Sequence, residues 1–403
     1  MTGRPVTTWA AAAERLGGGL RDLTVRNIVR TTVGGSGLRV RLTNAFGDRP
    51  VTFGRVCVGV PSAGAALQPG SNRMLTFGGS PEVTVPPGAT ILSDPLPVRV
   101  RPRRRLAISL YVRGEAGTLT GRNRATAPAC PPPVLTPQPA THAHRPLRDR
   151  HSCAEREPAT SPAYRSVPGD HAADEGSGAF TEEVAVWHWL DALTVTAPTP
   201  VSTVAVLGDS IATGVGSETG HGWVDLLADL AAEGSPPLAV VNEGVSGGRV
   251  LTAGTGRPAE ARLTAEVLTK PGIAVVILFA GLNDLGAGAR AGDLIAAYAR
   301  IAATARAAGV RVVGGTLTPY AGADYHTEEG ERARQEVNAY VRSAGAFDGV
   351  ADFDAALRDP ADPARLLPRH DCGDHLHPST SGHQSMAAAV LGRQHTAEVR
   401  RRA

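Results

Sequence analysis

The sequence predicts two domains of different class: an N-terminal β-sandwich, jelly-roll-like, over residues 1–198, and a C-terminal three-layer α/β/α domain with a parallel sheet over 199–403. Three observations carry this expectation. The length of 403 residues exceeds what one ordinary core accommodates. From about Leu23 to Val112 the hydrophobic pattern has a period of two, as in half-buried strands. Beyond residue 199, apolar runs of strand length alternate with helical stretches, the pattern of a parallel sheet covered on both faces.

In the first half, "TVRNIVRTTV" and "LRVRLTNAF" alternate apolar and polar residues across "GGSG", which predicts a hairpin. "RLAISLYV" sets Leu106, Ile108, Leu110 and Val112 on one face. Arg99, Arg101 and the run Arg103–Arg105 offer either an anionic-ligand surface or a solvated strand face; no aromatic residues interleave with them, which favours the solvated face. Residues from about 117 to 163 contain "APACPPPVLTPQPATHAHRPLRDRHSC". Proline cannot donate to a sheet ladder and large apolar residues are few, so a long proline-rich insert is expected. It carries His142, His144, His151 and Cys153, all metal-ligand types, within a segment read as a loop. "AFTEEVAVWHWLDALTVTAP" restores strand character and closes the sandwich, and "APTPVST" links the halves.

In the second half "TVAVLG", "LAVVNEG", "AVVILFAG" and "VRVVGGTL" are strands. "GWVDLLADLAAE", "DLIAAYARIAATARAAG" and "EEGERARQEVNAYVRSAG" are helices, with a last helix around "HQSMAAAVL". Ligands of such sheets collect beyond the carboxyl ends of the strands, so the residues there matter most. The first strand ends in Gly208, Asp209 and Ser210, and the second in Asn242, Gly244 and Gly247. The third ends in Gly281, Asn283 and Asp284, and "DHLHPSTSGH" near the C-terminus adds Asp374, His375 and His377.

A serine hydroxyl is a poor nucleophile until a base takes its proton, and the base needs a carboxylate to fix its tautomer. Ser210, His377 and Asp374 fit these roles. The backbone N–H groups of Ser210 and Gly247, with the Asn283 amide, would supply an oxyanion hole. Asp209 and Asp284 are expected to cap or brace loops, and Asn242 to shape a turn.

These four blocks, in this order, resemble those of the SGNH, or GDSL, hydrolase superfamily: "GDSI" with Ser210, "NEGVSGG" with Gly247, "GLND" with Asn283, and "DHLHP" with Asp374 and His377. The resemblance covers about residues 202–395. It implies a serine hydrolase that needs no metal or organic cofactor. "TVRNIVRTTVGGSGLRVRLTNAFG" and "VPGDHAADEGSGAF" resemble, more loosely, the β-domain preceding the hydrolase domain in a group of actinobacterial members. Two departures bear on substrate choice: "IATG" stands where many relatives carry an acidic residue, and the proline-rich insert is this chain's own.

Other placements of the chemistry compete with this one. "GVSGG" fits the G-x-S-x-G elbow with Ser246 as nucleophile, but that elbow turns straight into a helix whereas "RVLTAGTGRP" is glycine-rich. His370, Asp371, Asp374, His375, His377 and His383 are ligand types, yet they lack the short fixed spacings of zinc sites. His375 is expected to point away from the site or to solvent.

Composition narrows the partners. A net charge of +3 makes no case for nucleic acid. No run of about twenty apolar residues would span a membrane. Trp9–Ala13 is too short for a secretion signal and runs into Glu14 and Arg15, so a cytoplasmic location is expected, or a secreted one if the N-terminus was trimmed. Cys130 and Cys153 are open to pairing, although cytosolic thiols stay reduced. The expected reaction is hydrolysis of a small-molecule or glycan-linked carboxylic ester through an acyl-enzyme on Ser210. The rivals are an acyltransferase using the same triad and a glycan deacetylase with the sandwich as binding module. An aromatic content of 4% counts against the last, because sugar platforms rely on stacking.

Overall fold

The computed structural model describes residues 3–123, 161–198, 200–254, 256–343 and 345–391. The first half is a sandwich of antiparallel sheets. One sheet runs in the order Gly3–Ala10, Leu190–Pro198, Gly35–Thr43, Thr90–Leu92, with Leu96–Val100 also on the third strand. The facing sheet runs Phe180–Val184, Ala163–Pro168, Arg21–Arg30, Arg105–Glu115, Val51–Gly59, Arg73–Met74, with Val83–Val85 beside Val51–Gly59. Val25, Val29, Leu38, Val40, Leu42, Phe53, Leu110 and Trp189 fill the space between them. Burying each such side chain is worth about 1.5–3 kcal/mol.

The hairpin expected across "GGSG" does not form. Arg21–Arg30 pairs with Arg105–Glu115 and Ala163–Pro168, whereas Gly35–Thr43 pairs with Leu190–Pro198 in the opposite sheet. The connection arches from one sheet to the other, and Thr8 holds it: its hydroxyl donates to Val33 O at 2.6 Å and its carbonyl accepts from Thr32 N at 2.8 Å. Alternation told correctly which side chains enter the core, but both sheets share that core, so it could not name the partner strand. The insert is also narrower than expected. Thr118–Asn123 is a strand, paired with Val186–His188 and Glu14–Gly18. Cys130, Cys153, His142, His144 and His151 lie outside the described residues.

The second half holds five parallel strands in the spatial order Leu238–Gly244, Ser202–Gly208, Ile273–Phe279, Arg311–Gly315, Gly349–Ala351. The fifth, three residues long, was not expected from the sequence, since it is too short to leave a periodic trace. The chain starts in the middle of the sheet and its order reverses around Ser202–Gly208, which makes the carboxyl end of that strand the switch point where such sheets bind ligands. All seven residues of Ser202–Gly208 are buried, which explains their continuous apolar character. Helices Trp223–Ala232, Ala291–Ala307, Glu328–Arg342 and Thr380–Leu391 cover the sheet. Trp223, Phe279 and Phe353 form an aromatic cluster beneath it, with Phe279 and Phe353 edge to face at 4.8 Å.

The two halves are joined through polar contacts. Ala11 bridges in parallel to Asn242, and Thr7 N donates to Pro271 O at 2.9 Å. The Arg41–Asp191 pair is buried at 2.7 Å, and the same guanidinium donates to Thr269 O and Oγ1 of the second half. Arg103, part of the arginine run, pairs with Glu233 at 2.8 Å across the junction. No helix among the described residues is long and apolar enough to cross a membrane.

Candidate active site

Asp209 ends the central strand by capping the helix Ser210–Thr213: its Oδ1 accepts from Ile211 N at 3.0 Å. The turn is tight, since a Cβ on Gly208 would meet Ala212 Cβ at 2.5 Å and Phe279 O at 2.9 Å. Ser210 therefore leaves the sheet at the first helical position, with its side chain at the switch point. Its Oγ lies 2.9 Å from His377 Nε2. On the other side of that ring, Nδ1 lies 2.6 Å from Asp374 Oδ2. Asp374 Oδ1 accepts from the backbone N–H of Leu376 and of His377, at 2.9 and 2.8 Å, and these bonds fix the carboxylate. Burial works against the charge of Asp374, but the hydrogen bonds from the His377 ring and the two backbone groups outweigh it and hold the carboxyl well below the usual range. Serine, histidine and aspartate thus stand in one hydrogen-bonded line.

The expected oxyanion donors are the N–H groups of Ser210 and Gly247 and the Asn283 amide. Among the described residues, neither the Ser210 N–H nor the Gly247 N–H has a hydrogen-bond partner. Gly247 adopts φ +69°, and a Cβ there would meet nothing within 4 Å, so its backbone faces open space. Asn283 donates one amide hydrogen to Gly248 O at 3.1 Å, which leaves the other for a ligand. Asp284 accepts from Val250 N at 2.8 Å and Leu251 N at 2.9 Å, tying the loop that carries Gly247 to the strand end that carries Asn283. Asn242 accepts from Gly244 N and donates to Ala212 O, bracing the same loop from below.

Ser246 lies in this loop, its Oγ 3.2 Å from Thr213 Oγ1, and the next helix begins only at Ala259, so no elbow forms around it. His375 is half exposed, paired with Asp371 at 2.7 Å. His383 is buried between Trp223 N and Val215 O, and burial lowers it to about 4, so it tethers the last helix as a neutral ring. His370 touches Ser385 and Arg369. Only Asp371, Cys372 and Asp374 are spaced to share an ion among the described residues, and Asp374 already serves His377.

The sequence did not single out two further features. Tyr325, from the loop after the fourth strand, packs over Gly286 at the end of the helix that carries Asn283, and burial raises its hydroxyl, with the charges of Asp209 and Asp374 adding to the shift. Arg262, fully buried, donates to the carbonyls of Gly208 and Glu243 behind Ser210.

Burial raises Asp209 to about 6, against the Ile211 hydrogen bond and the charge of His377. A carboxyl raised in the folded state binds its proton more tightly there than in the unfolded chain. Its contribution to stability is therefore full below about pH 4 and is lost as pH rises through about 6. Asp209→Asn keeps the capping oxygen and removes the buried charge. It is expected to gain about 3 kcal/mol over the parent at pH 8 in urea titrations, with the gain vanishing near pH 4. An equal difference at both pH values would refute the assignment.

Comparison with known proteins bears on the family of the second half. Residues 206–385 match the family described as GDSL-like lipase/acylhydrolase. Esterase TesA of Pseudomonas aeruginosa is 32% identical over 175 residues, which span 41% of this chain and 84% of that protein. Among solved structures, that of TesA shares 27% identity, covering 47% of this chain and 96% of its own, with a TM-score of 0.37. A G-D-S-L family lipolytic protein from Desulfitobacterium hafniense shares 20% identity, covering 47% and 97%, with a TM-score of 0.39. With esterase TesA matched over most of its length, the chain belongs to the GDSL-like lipase/acylhydrolase family of hydrolases.

Proposed function

We propose that the protein hydrolyses a carboxylic ester through an acyl-enzyme on Ser210. The observation that carries this reading is the unbroken line Asp374 to His377 to Ser210, at 2.6 and 2.9 Å. Ser210 Oγ attacks the acyl carbon as its proton passes to His377 Nε2, and the carbonyl electrons move to an oxygen facing Ser210 N–H, Gly247 N–H and the free Asn283 hydrogen. As the bond to the alcohol oxygen breaks, His377 returns the proton to that oxygen. Water then gives a proton to His377 as its oxygen attacks the acyl carbon; the bond from that carbon to Ser210 Oγ breaks, His377 returns the proton to Oγ, and the free acid leaves. Asp374 holds the ring tautomer and offsets the imidazolium charge in both halves.

Hydrolysis is the reading preferred to acyl transfer, with water as the acyl acceptor. The test is a panel of acyl esters, including acetylated sugars, assayed by free acid released and by acyl product formed on added alcohols and amines. Free acid in proportion to ester consumed supports hydrolysis. Acyl transfer to the added acceptor with little free acid would make the protein an acyltransferase.

A further inference from the structure

The buried charges behind the nucleophile are not accounted for by the triad. The helix Ala259–Arg262 continues into a π-helical turn, Leu263–Val267, and brings Arg262, Glu266 and Lys270 to one buried face. Arg262 Nη2 donates to Gly208 O at 2.9 Å and Nη1 to Glu243 O at 2.5 Å. These two carbonyls end adjacent strands, one leading into Ser210 and the other into the loop of Gly247. Lys270 neutralises the Glu243 carboxylate at 2.6 Å, so the guanidinium is not drawn away from the carbonyls. The β-domain closes the cluster from the other side: Ala13 N donates to Glu266 Oε2 at 3.3 Å and Arg122 Nη1 to Asn242 O at 3.3 Å.

We propose that Arg262 is a positioning residue that fixes the distance between Ser210 and the Gly247 oxyanion donor, and that the β-domain keeps it in place by sealing the charged cluster from water. The inference rests on Ser210 being the nucleophile. A planar guanidinium with two parallel donors sets the separation of two acceptors in a way a single ammonium cannot. Displacement of reacting groups by about 1 Å can cost on the order of 100-fold in rate. Because Arg262 touches neither substrate nor reacting atoms, its loss should slow chemistry and leave ground-state binding nearly unchanged.

The experiment compares Arg262→Met and Arg262→Lys with the parent in the full chain. It measures kcat and KM on a short acyl ester and, by intact mass, the rate constant for fluorophosphonate addition to Ser210. That rate constant is independent of the fraction of protein folded, so a merely structural role would not move it. The expected result is a fall of about 10- to 100-fold in both kcat and the labelling rate constant for Arg262→Met, with KM within about threefold and partial recovery in Arg262→Lys. If Arg262→Met does not fold, Arg262→Lys decides alone, with a reduced labelling rate constant expected at unchanged KM. Parent-like labelling and kcat in folded variants would overturn the proposal. Label found on a residue other than Ser210 in the parent would instead overturn the proposed nucleophile.

Discussion

Ser210→Ala lowers kcat by about four to six orders of magnitude and abolishes fluorophosphonate labelling, while KM stays near the parent value. That is the expected outcome if the hydroxyl 2.9 Å from His377 Nε2 is the attacking atom. Members of a nucleophile and base pair act as a unit, so His377→Ala should cost a similar factor, and the double variant little more than either single one. Any activity left should come from the donors at Ser210 N, Gly247 N and Asn283. The measurement is initial rate on an activated ester with labelling sites mapped by peptide mass. Labelling at Ser246, or retention of more than a few per cent of activity, would move the nucleophile elsewhere. The fold should tolerate the change, since the Ser210 hydroxyl bonds the His377 ring and Asp209 still caps the helix.

Asn283→Ala should lower kcat by about 100- to 1,000-fold with little change in KM, because an oxyanion donor strengthens its bond only as charge develops. The side chain also holds Gly248 O at 3.1 Å, so part of the loss could come from a loosened Gly247 loop. Asn283→Gln separates the two contributions. The longer side chain can keep a hydrogen bond to the loop, but its free hydrogen is displaced by one methylene. A Gln variant as impaired as the Ala variant assigns the effect to the oxyanion, and a Gln variant restored to the parent rate assigns it to loop support. Asp284 already braces that loop through Val250 and Leu251, which limits how far it can move.

The parallel sheet and its strand-end residues were legible because a strand buried on both faces must be continuously apolar, and departures from that rule mark the edge where ligands of such sheets collect. "VAVLGDS" shows the break at Gly208 in the sequence itself. Asp374 and His377 were legible for a related reason: three residues apart in a turn, they meet with no help from distant structure. The sandwich was legible in class but not in pairing, since "GGSG" permits an arch as well as a hairpin and only the shared core decides between them. Arg262, Glu266 and Lys270 were not legible at all. Charges spaced by four along a helix normally describe a solvated face, and nothing local says that a second domain covers this one. The strand Thr118–Asn123 was lost for the opposite reason: its composition is polar, and its place comes from pairing with residues on either side of it in sequence.

Gly3–Ala10 lies between these cases, and its pairing constrains how the protein assembles during translation. The strand aligns Gly3 with Pro198 and Ala10 with Ala192, so no partner for it exists until nearly two hundred residues have left the ribosome. Closing a loop that long costs several kcal/mol of chain entropy before any ladder hydrogen bond offsets it. The sandwich therefore completes late, at the moment the first strand of the parallel sheet follows it out of the exit tunnel. Thr7 and Ala11 of the same early segment then reach Pro271 and Asn242, so one edge of the nascent β-domain stays unfinished until the hydrolase half arrives. A stall in synthesis after about residue 200 should leave the chain protease-sensitive at that edge, whereas a stall beyond residue 275 should not.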